Sequence, residues 1–91
     1  MKFEWDPQKA DSNLKKHDVS FQEAASVLGD ALSVTYPDPD HSVREHRFIT
    51  VGMSRYGRVL MVAHTDRGGN VRIISARKTT RRERRYYEEG E

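Results

Sequence analysis

Between Arg47 and Arg77 the chain reads as three strand-like runs, about Arg47–Ser54, Arg58–Asp66 and Val71–Arg77. Short turns at Arg55-Tyr56-Gly57 and Gly68-Gly69-Asn70 separate them. A parallel crossover needs about a dozen residues or more, so connections this short force antiparallel hairpins. Within the middle run, Val59-Leu60-Met61-Val62-Ala63 is apolar at every position, which suits a central strand covered on both faces.

The flanking segments read as the cover for that sheet. Phe3-Glu4-Trp5 is a short opening strand. Asp6 then caps a helix with Pro7 at its first position. That helix runs to about His17, with Ala10, Leu14 and the stem of His17 facing inward. A second helix follows at once, with Ser20 and Glu23 as a capping box and Val19 stapled onto Ala24. Phe21, Ala24, Ala25 and Leu28 form its apolar stripe, and Gly29 ends it. Ala31–Tyr36 is a further strand, followed by the rigid polar loop Pro37-Asp38-Pro39-Asp40. Thr80 and Glu83 make a capping box for a last helix beginning near Thr79 or Thr80. The expectation is one α+β domain over residues 1–91. It has a small antiparallel sheet, two N-terminal helices on one face and one C-terminal helix at an edge or end. Trp5 and Phe21 read as core residues.

Composition enters through charge. Residues 1–43 hold four Lys or Arg against eight Asp or Glu, and residues 44–85 hold twelve against three. Residues 86–91 add three glutamates, a solvated acidic tail at Glu88-Glu89-Gly90-Glu91. The basic half is mostly arginine, whose planar fork suits phosphate, so a polyanionic partner is expected. The chain has no cysteine, which excludes disulfides, thiolate metal sites and cysteine nucleophiles. His17, His41, His46 and His64 lack metal-ligand spacing, and there is neither a Gly-x-Ser-x-Gly elbow nor a phosphate-binding P-loop. No run approaches about 18 apolar residues, and Met1–Ala10 is too polar for a signal peptide, so a cytoplasmic, membrane-free protein is expected.

What remains for chemistry is arginine at strand ends. With the turns centred as read, Arg47 lies almost opposite Asp66, beside Arg67 and Arg72. Arg77 lies at the far end, near Lys78 and the basic first turn containing Arg81 and Arg82. Those two arginines oppose the helix dipole, and a broken local rule marks a candidate functional place. Such a surface can hold successive phosphates of a nucleic acid strand. RNA brings its own nucleophile, the 2′-hydroxyl. An enzyme must then add a proton acceptor, cations for the phosphate and an acid for the departing 5′-oxygen. Arginine fills the second role, while His17, His64, Lys16, Glu45 and Glu83 all remain open for the other two. His64 also reads as a core or rim histidine, and Glu83 is explained by capping alone.

The order of motifs resembles the BrnT toxin family. Trp5-Asp6-Pro7-x-Lys9-Ala10-x-x-Asn13-x-x-Lys16-His17-x-Val19-Ser20-Phe21-x-Glu23-Ala24 is similar to its opening signature. Arg72-Ile73-Ile74-Ser75-Ala76-Arg77-Lys78, then Arg82-Glu83-Arg84 and Tyr87, is similar to its closing one. Glu45-x-Arg47, Gly52 and Thr65-x-Arg67 match the middle. One departure is Asp18 where the family usually has glycine; Asp tolerates left-handed backbone angles, and it brings a carboxylate beside His17. The resemblance implies a RelE-like fold and cofactor-free, metal-independent RNA cleavage that inhibits translation and growth. It implies a ribbon-helix-helix antitoxin, BrnA-like, in a heterotetramer that binds its own promoter DNA. It implies Lys16, His17, Arg47, Arg67 and Arg77 as the catalytic candidates. Glu83, Arg84 and Tyr87 follow less securely, and Arg72, Lys78, Arg81 and Arg82 join Arg84 and Tyr87 as RNA contacts.

A second class fits the same elements. A helix, three antiparallel strands and a helix also describe a non-catalytic RNA-binding module that reads duplex shape. The extra opening strand, the paired first helices and the arginines of the sheet argue for the nuclease. A third reading keeps only antitoxin binding, with activity lost.

Overall fold

In a computed structural model describing residues 2–41 and 45–90, the two hairpins form as the turn lengths require. Glu91 and the side chain of His41 lie outside the described residues. Strands β3 (Arg47–Met53), β4 (Val59–Arg67) and β5 (Asn70–Lys78) pair antiparallel, and β2 (Val34–Pro37) joins β3 antiparallel. The opening strand β1 (Phe3–Glu4) pairs parallel with β5, giving a five-stranded sheet ordered β1-β5-β4-β3-β2. The sheet is thus antiparallel over four strands and mixed at one edge. A parallel pair needs a long crossover, and the chain between β1 and β5 supplies it. The second strand begins three residues later than Ala31 and extends onto Pro37, which an edge strand tolerates.

Helix α1 (Pro7–His17) starts on Asp6, whose carboxylate accepts from the Gln8 N–H at 2.8 Å. It stops at Asp18, which adopts φ +59° and donates its backbone N–H to Leu14. The left-handed turn expected at this position therefore forms with aspartate. The inward face differs from expectation at one position. Leu14 is 47% exposed, and Asn13 takes the buried place between Ala10 and Val19. Helix α2 (Phe21–Val27) is capped by Ser20, which accepts from Glu23 N–H at 3.0 Å. The other half of the expected capping box does not form there, because the Glu23 carboxylate turns inward to Ser54 and Arg58. Helix α3 (Arg81–Glu89) carries the complete Thr80/Glu83 box. Among the described residues no helix is long and apolar enough to cross a membrane.

The core lies between α1, α2 and one face of the sheet. Val19, Phe21, Ala24 and Val27 meet Leu60, Val62, Ile73 and Ala76, with Trp5 edge-on to Phe21 at 6.0 Å. Phe21 is fully buried in the core, as expected, and Trp5 packs against it while partly buried. Gly52 is required by close approach: a Cβ there would stand 2.8 Å from the Ser33 Cβ. The loop after α2 therefore packs directly on β3. His64 belongs to the same buried layer, with Nε2 2.7 Å from Thr50 Oγ1 and its ring stacked on Phe48. Burial holds its pKa below the ordinary histidine value.

Candidate functional site

The sheet's outer face, away from α1 and α2, is organised by strand register. One row across four strands runs Arg77, Met61, Val51, Val34. The next runs Ser75, Ala63, Ile49, Tyr36, and the third runs Arg72, Thr65, Arg47. Arg47 stands opposite Thr65, one residue from the Asp66 pairing expected from turn centring. The five-residue spacing of Arg72 and Arg77 would send them to opposite faces of a regular strand. A bulge prevents this. Ser75 pairs with Ala63 and Ile73 with His64, leaving Ile74 unpaired, so both arginines occupy rows of the outer face.

The result is a cleft of ≈ 320 Å³ floored by Ala63 and Ser75 with Ile49 and Ile74 beside them, and the Asp38 carboxylate also lines it. Arg77 stands on one side of that floor, Arg47 on the other, and His17 from the end of α1 completes the wall. Lys16 lies in an adjoining hollow that shares His17, Ile74 and Ser75 with the cleft. Of the five catalytic candidates, three line one cleft and Lys16 is next to it. Arg67 is farther out on the β4–β5 hairpin, 3.6 Å from Glu45, whose other oxygen is 4.0 Å from Arg47. Glu45 thus bridges the outlying arginine to the cleft.

Arg77 is held firmly. Its two terminal nitrogens donate to the two oxygens of Glu83 at 2.9 and 3.0 Å, and one also approaches Met61 Sδ at 3.0 Å. This bidentate pair, helped by the Thr80 N–H, lowers the Glu83 carboxyl to about 2. A carboxyl with that pKa is ionised at neutral pH and is a weak base, so Glu83 suits neither proton-transfer role there. It positions Arg77 instead. The backbone beneath Arg77 is fixed by Asn13, whose amide donates to Val19 O and Ala76 O at 2.9 and 2.8 Å and accepts from Ala76 N–H at 3.1 Å.

The remaining expected RNA contacts fall into separate places. Arg72 is paired with Glu4 at 3.3 Å. Lys78, Arg81 and Arg84 surround a different hollow together with Arg58. Lys78 is 3.8 Å from Asp18, and Arg84 is 3.3 Å from Glu88. Arg82 is exposed on α3. Tyr87 is a tether: its hydroxyl donates to Asp30, which also accepts from Met53 N–H at 2.8 Å. The Asp18 carboxylate lies 3.8 Å from both Arg58 and Lys78. His64 is in the inner layer, outside the cleft-lining set.

Two contributors were missed in the sequence. Asn13 and Glu23 are both polar residues on the inward faces of amphipathic helices, and that position is the signal that each has a buried partner. Glu23 receives Ser54 Oγ at 2.7 Å and the Arg58 guanidinium, whose hydrogen bonds hold its carboxyl below the usual range. Arg58, apparently one more cation in the basic half, is a buttress for α2.

The family model described as ribonuclease toxin, BrnT, of type II toxin-antitoxin system matches residues 5–83. Among solved structures, the fold is similar to the crystal structure of the Brucella abortus ribonuclease toxin, BrnT. The TM-score is 0.70 at 21% identity, over 89% of this chain and 99% of that one. No curated protein matches the chain.

Proposed function

The chain belongs to the BrnT family of ribonuclease toxins of type II toxin–antitoxin systems, and on that premise we propose a mechanism of RNA cleavage that needs no metal ion. The observation that carries the proposal is the convergence of Arg47, Arg77 and His17, from three different elements, on one cleft. A phosphodiester placed over Ala63 and Ser75 meets a guanidinium on either side. The 2′-oxygen of the RNA attacks phosphorus, the bond to the 5′-oxygen breaks, and the products are a 2′,3′-cyclic phosphate and a 5′-hydroxyl. Arg47 and Arg77 stabilise the charge that builds on the non-bridging oxygens. One group takes the 2′-hydroxyl proton and another returns a proton to the 5′-oxygen. His17, which lines the cleft, and Lys16, in the adjoining hollow, are the two candidates for these roles, and Arg67 acts from the rim through Glu45.

Membership of a type II system brings an antitoxin partner. Its identity as a BrnA-like ribbon-helix-helix protein is proposed from the family resemblance. So are a heterotetramer that binds its own promoter through the antitoxin, action in the cytoplasm, and the arrest of translation and growth.

The test is cleavage of RNA by purified protein in the presence of a chelator. Arg77→Ala and Arg47→Ala are each expected to slow it by about 10²–10³, the usual cost of removing one donor to a developing oxyanion. Normal rates from both folded variants would overturn the residue assignment. A requirement for added divalent ion would overturn the metal-independent chemistry, and an RNA shift without any cleavage would return the protein to the binding-module class.

A further inference from the structure

The outer face carries a second hollow that the cleavage chemistry above leaves unused. It is a groove of ≈ 380 Å³ between β2, β3 and α3. Val34, Val51 and Met61 form its aliphatic floor, and Tyr36 and Tyr86 contribute rings to its sides. Tyr36 is 43% exposed, Tyr86 50% and Val34 52%. An apolar recess of this size on so small a domain marks a place of contact.

Two observations say with what. The groove is contiguous with the cationic cleft, because Met61 lines both. The partition between them is the Arg77–Glu83 pair, with Arg77 on the cleft side and Glu83 on the groove side. The second observation is the lining itself. Two tyrosines above an aliphatic floor offer flat, apolar surfaces, and single-stranded nucleic acid presents a flat base beside every phosphate. Proteins that hold such strands set cations for the phosphates and aromatic rings for the bases. Tyr86 is also held in place, since its neighbour Tyr87 anchors α3 to Asp30.

We infer that this groove is a nucleobase subsite, taking between Tyr36 and Tyr86 a base next to the phosphate that lies between Arg47 and Arg77. The inference rests on the RNA-cleaving reading and adds to it a base-recognition step that selects how the strand is seated.

The probe is a 2′-O-methyl oligoribonucleotide, which lacks the nucleophile and stays intact. Tyr86→Leu and Tyr36→Leu are each expected to weaken its binding by about 5- to 150-fold, the equivalent of ~1–3 kcal/mol per stacked base. Tyr86→Phe and Tyr36→Phe keep the ring and bind within about twofold of the parent. An abasic residue at one position of the oligonucleotide produces the same loss in the parent protein and no further loss in Tyr86→Leu. Placing 2-aminopurine at that position gives fluorescence quenching that the leucine variants lack. Unchanged affinity and unchanged quenching in folded leucine variants, alongside loss of binding in Arg77→Ala, would overturn the subsite and leave the nuclease reading standing. Leucine variants that bind RNA normally but no longer bind the antitoxin would also overturn it, making the groove a protein interface. Failure of the parent protein to bind any RNA would overturn both readings together.

Discussion

β1 ends at Glu4, so the outer edge of β5 beyond Arg72 has no strand beside it. At Ala76 the Asn13 side chain takes up both backbone groups and does what a neighbouring strand would otherwise do. The amide is suited to this because it carries a donor and an acceptor at the spacing of a peptide unit. Aspartate would lack the donor and add a buried charge. Asn13→Ala strands the Ala76 N–H and C=O in a buried layer, each at about 1–3 kcal/mol. The variant is expected to lose about 2–6 kcal/mol in urea unfolding. A change below about 0.5 kcal/mol, the range of ordinary surface substitutions, would show that water or a shifted side chain replaces the amide. The residue directly after Ala76 is Arg77, so the same amide also sets the height of the cleft's guanidinium.

At the scale of elements, what was legible in the sequence is what short-range chemistry decides. The hairpin turns, Asp6 and Ser20 as caps, and the Thr80/Glu83 box all depend on residues within a few positions of one another, and all form. The parallel pairing of β1, the bulge at Ile74 and the turn of Glu23 toward Arg58 each depend on residues far apart in the chain. Periodicity alone assigned Leu14 to the core, because it cannot distinguish a satisfied Asn13 from an exposed one. The cleft was legible as a set of arginines but not as a place: the bulge, not the spacing, puts Arg72 and Arg77 on one face. Helix α3 illustrates the division. Its cap is local, but its docking is not, resting on the Glu83–Arg77 pair near one end and the Tyr87–Asp30 hydrogen bond near the other. None of its residues is buried. Tyr87→Phe removes one tie while keeping the ring. Hydrogen bonds to charged groups contribute about 1.5–3 kcal/mol, so amide exchange across Arg81–Glu89 is expected to quicken by roughly 10- to 150-fold. Protection of β4 stays unchanged. Equal acceleration in both elements would mean that α3 unfolds only with the whole domain.

Across the whole molecule, the charge asymmetry of the sequence does not translate directly into a basic surface. The acidic N-terminal half folds back onto the arginine-rich half: Glu4 onto Arg72, Glu23 onto Arg58, and Asp18 between Arg58 and Lys78. Within the basic half, Glu45 and Glu83 meet Arg67 and Arg77. Much of what reads as attraction for a polyanion is therefore internal electrostatics, and the formal charge count overstates the number of cations available to a strand. This makes a quantitative difference in RNA binding. Each phosphate neutralised on a single strand contributes about −0.7 to the slope of log Kobs against log salt. Two or three phosphates around Arg47 and Arg77 give a slope near −2, whereas engagement of all the formal excess over residues 44–85 would give about −6. Anisotropy titrations of an uncleavable oligoribonucleotide between about 50 and 500 mM salt separate these values. A slope near −2 that flattens further in Arg77→Ala fits a focused site. A slope beyond −5 would mean that the carboxylates release their arginines when RNA arrives and that the whole basic half becomes the binding surface.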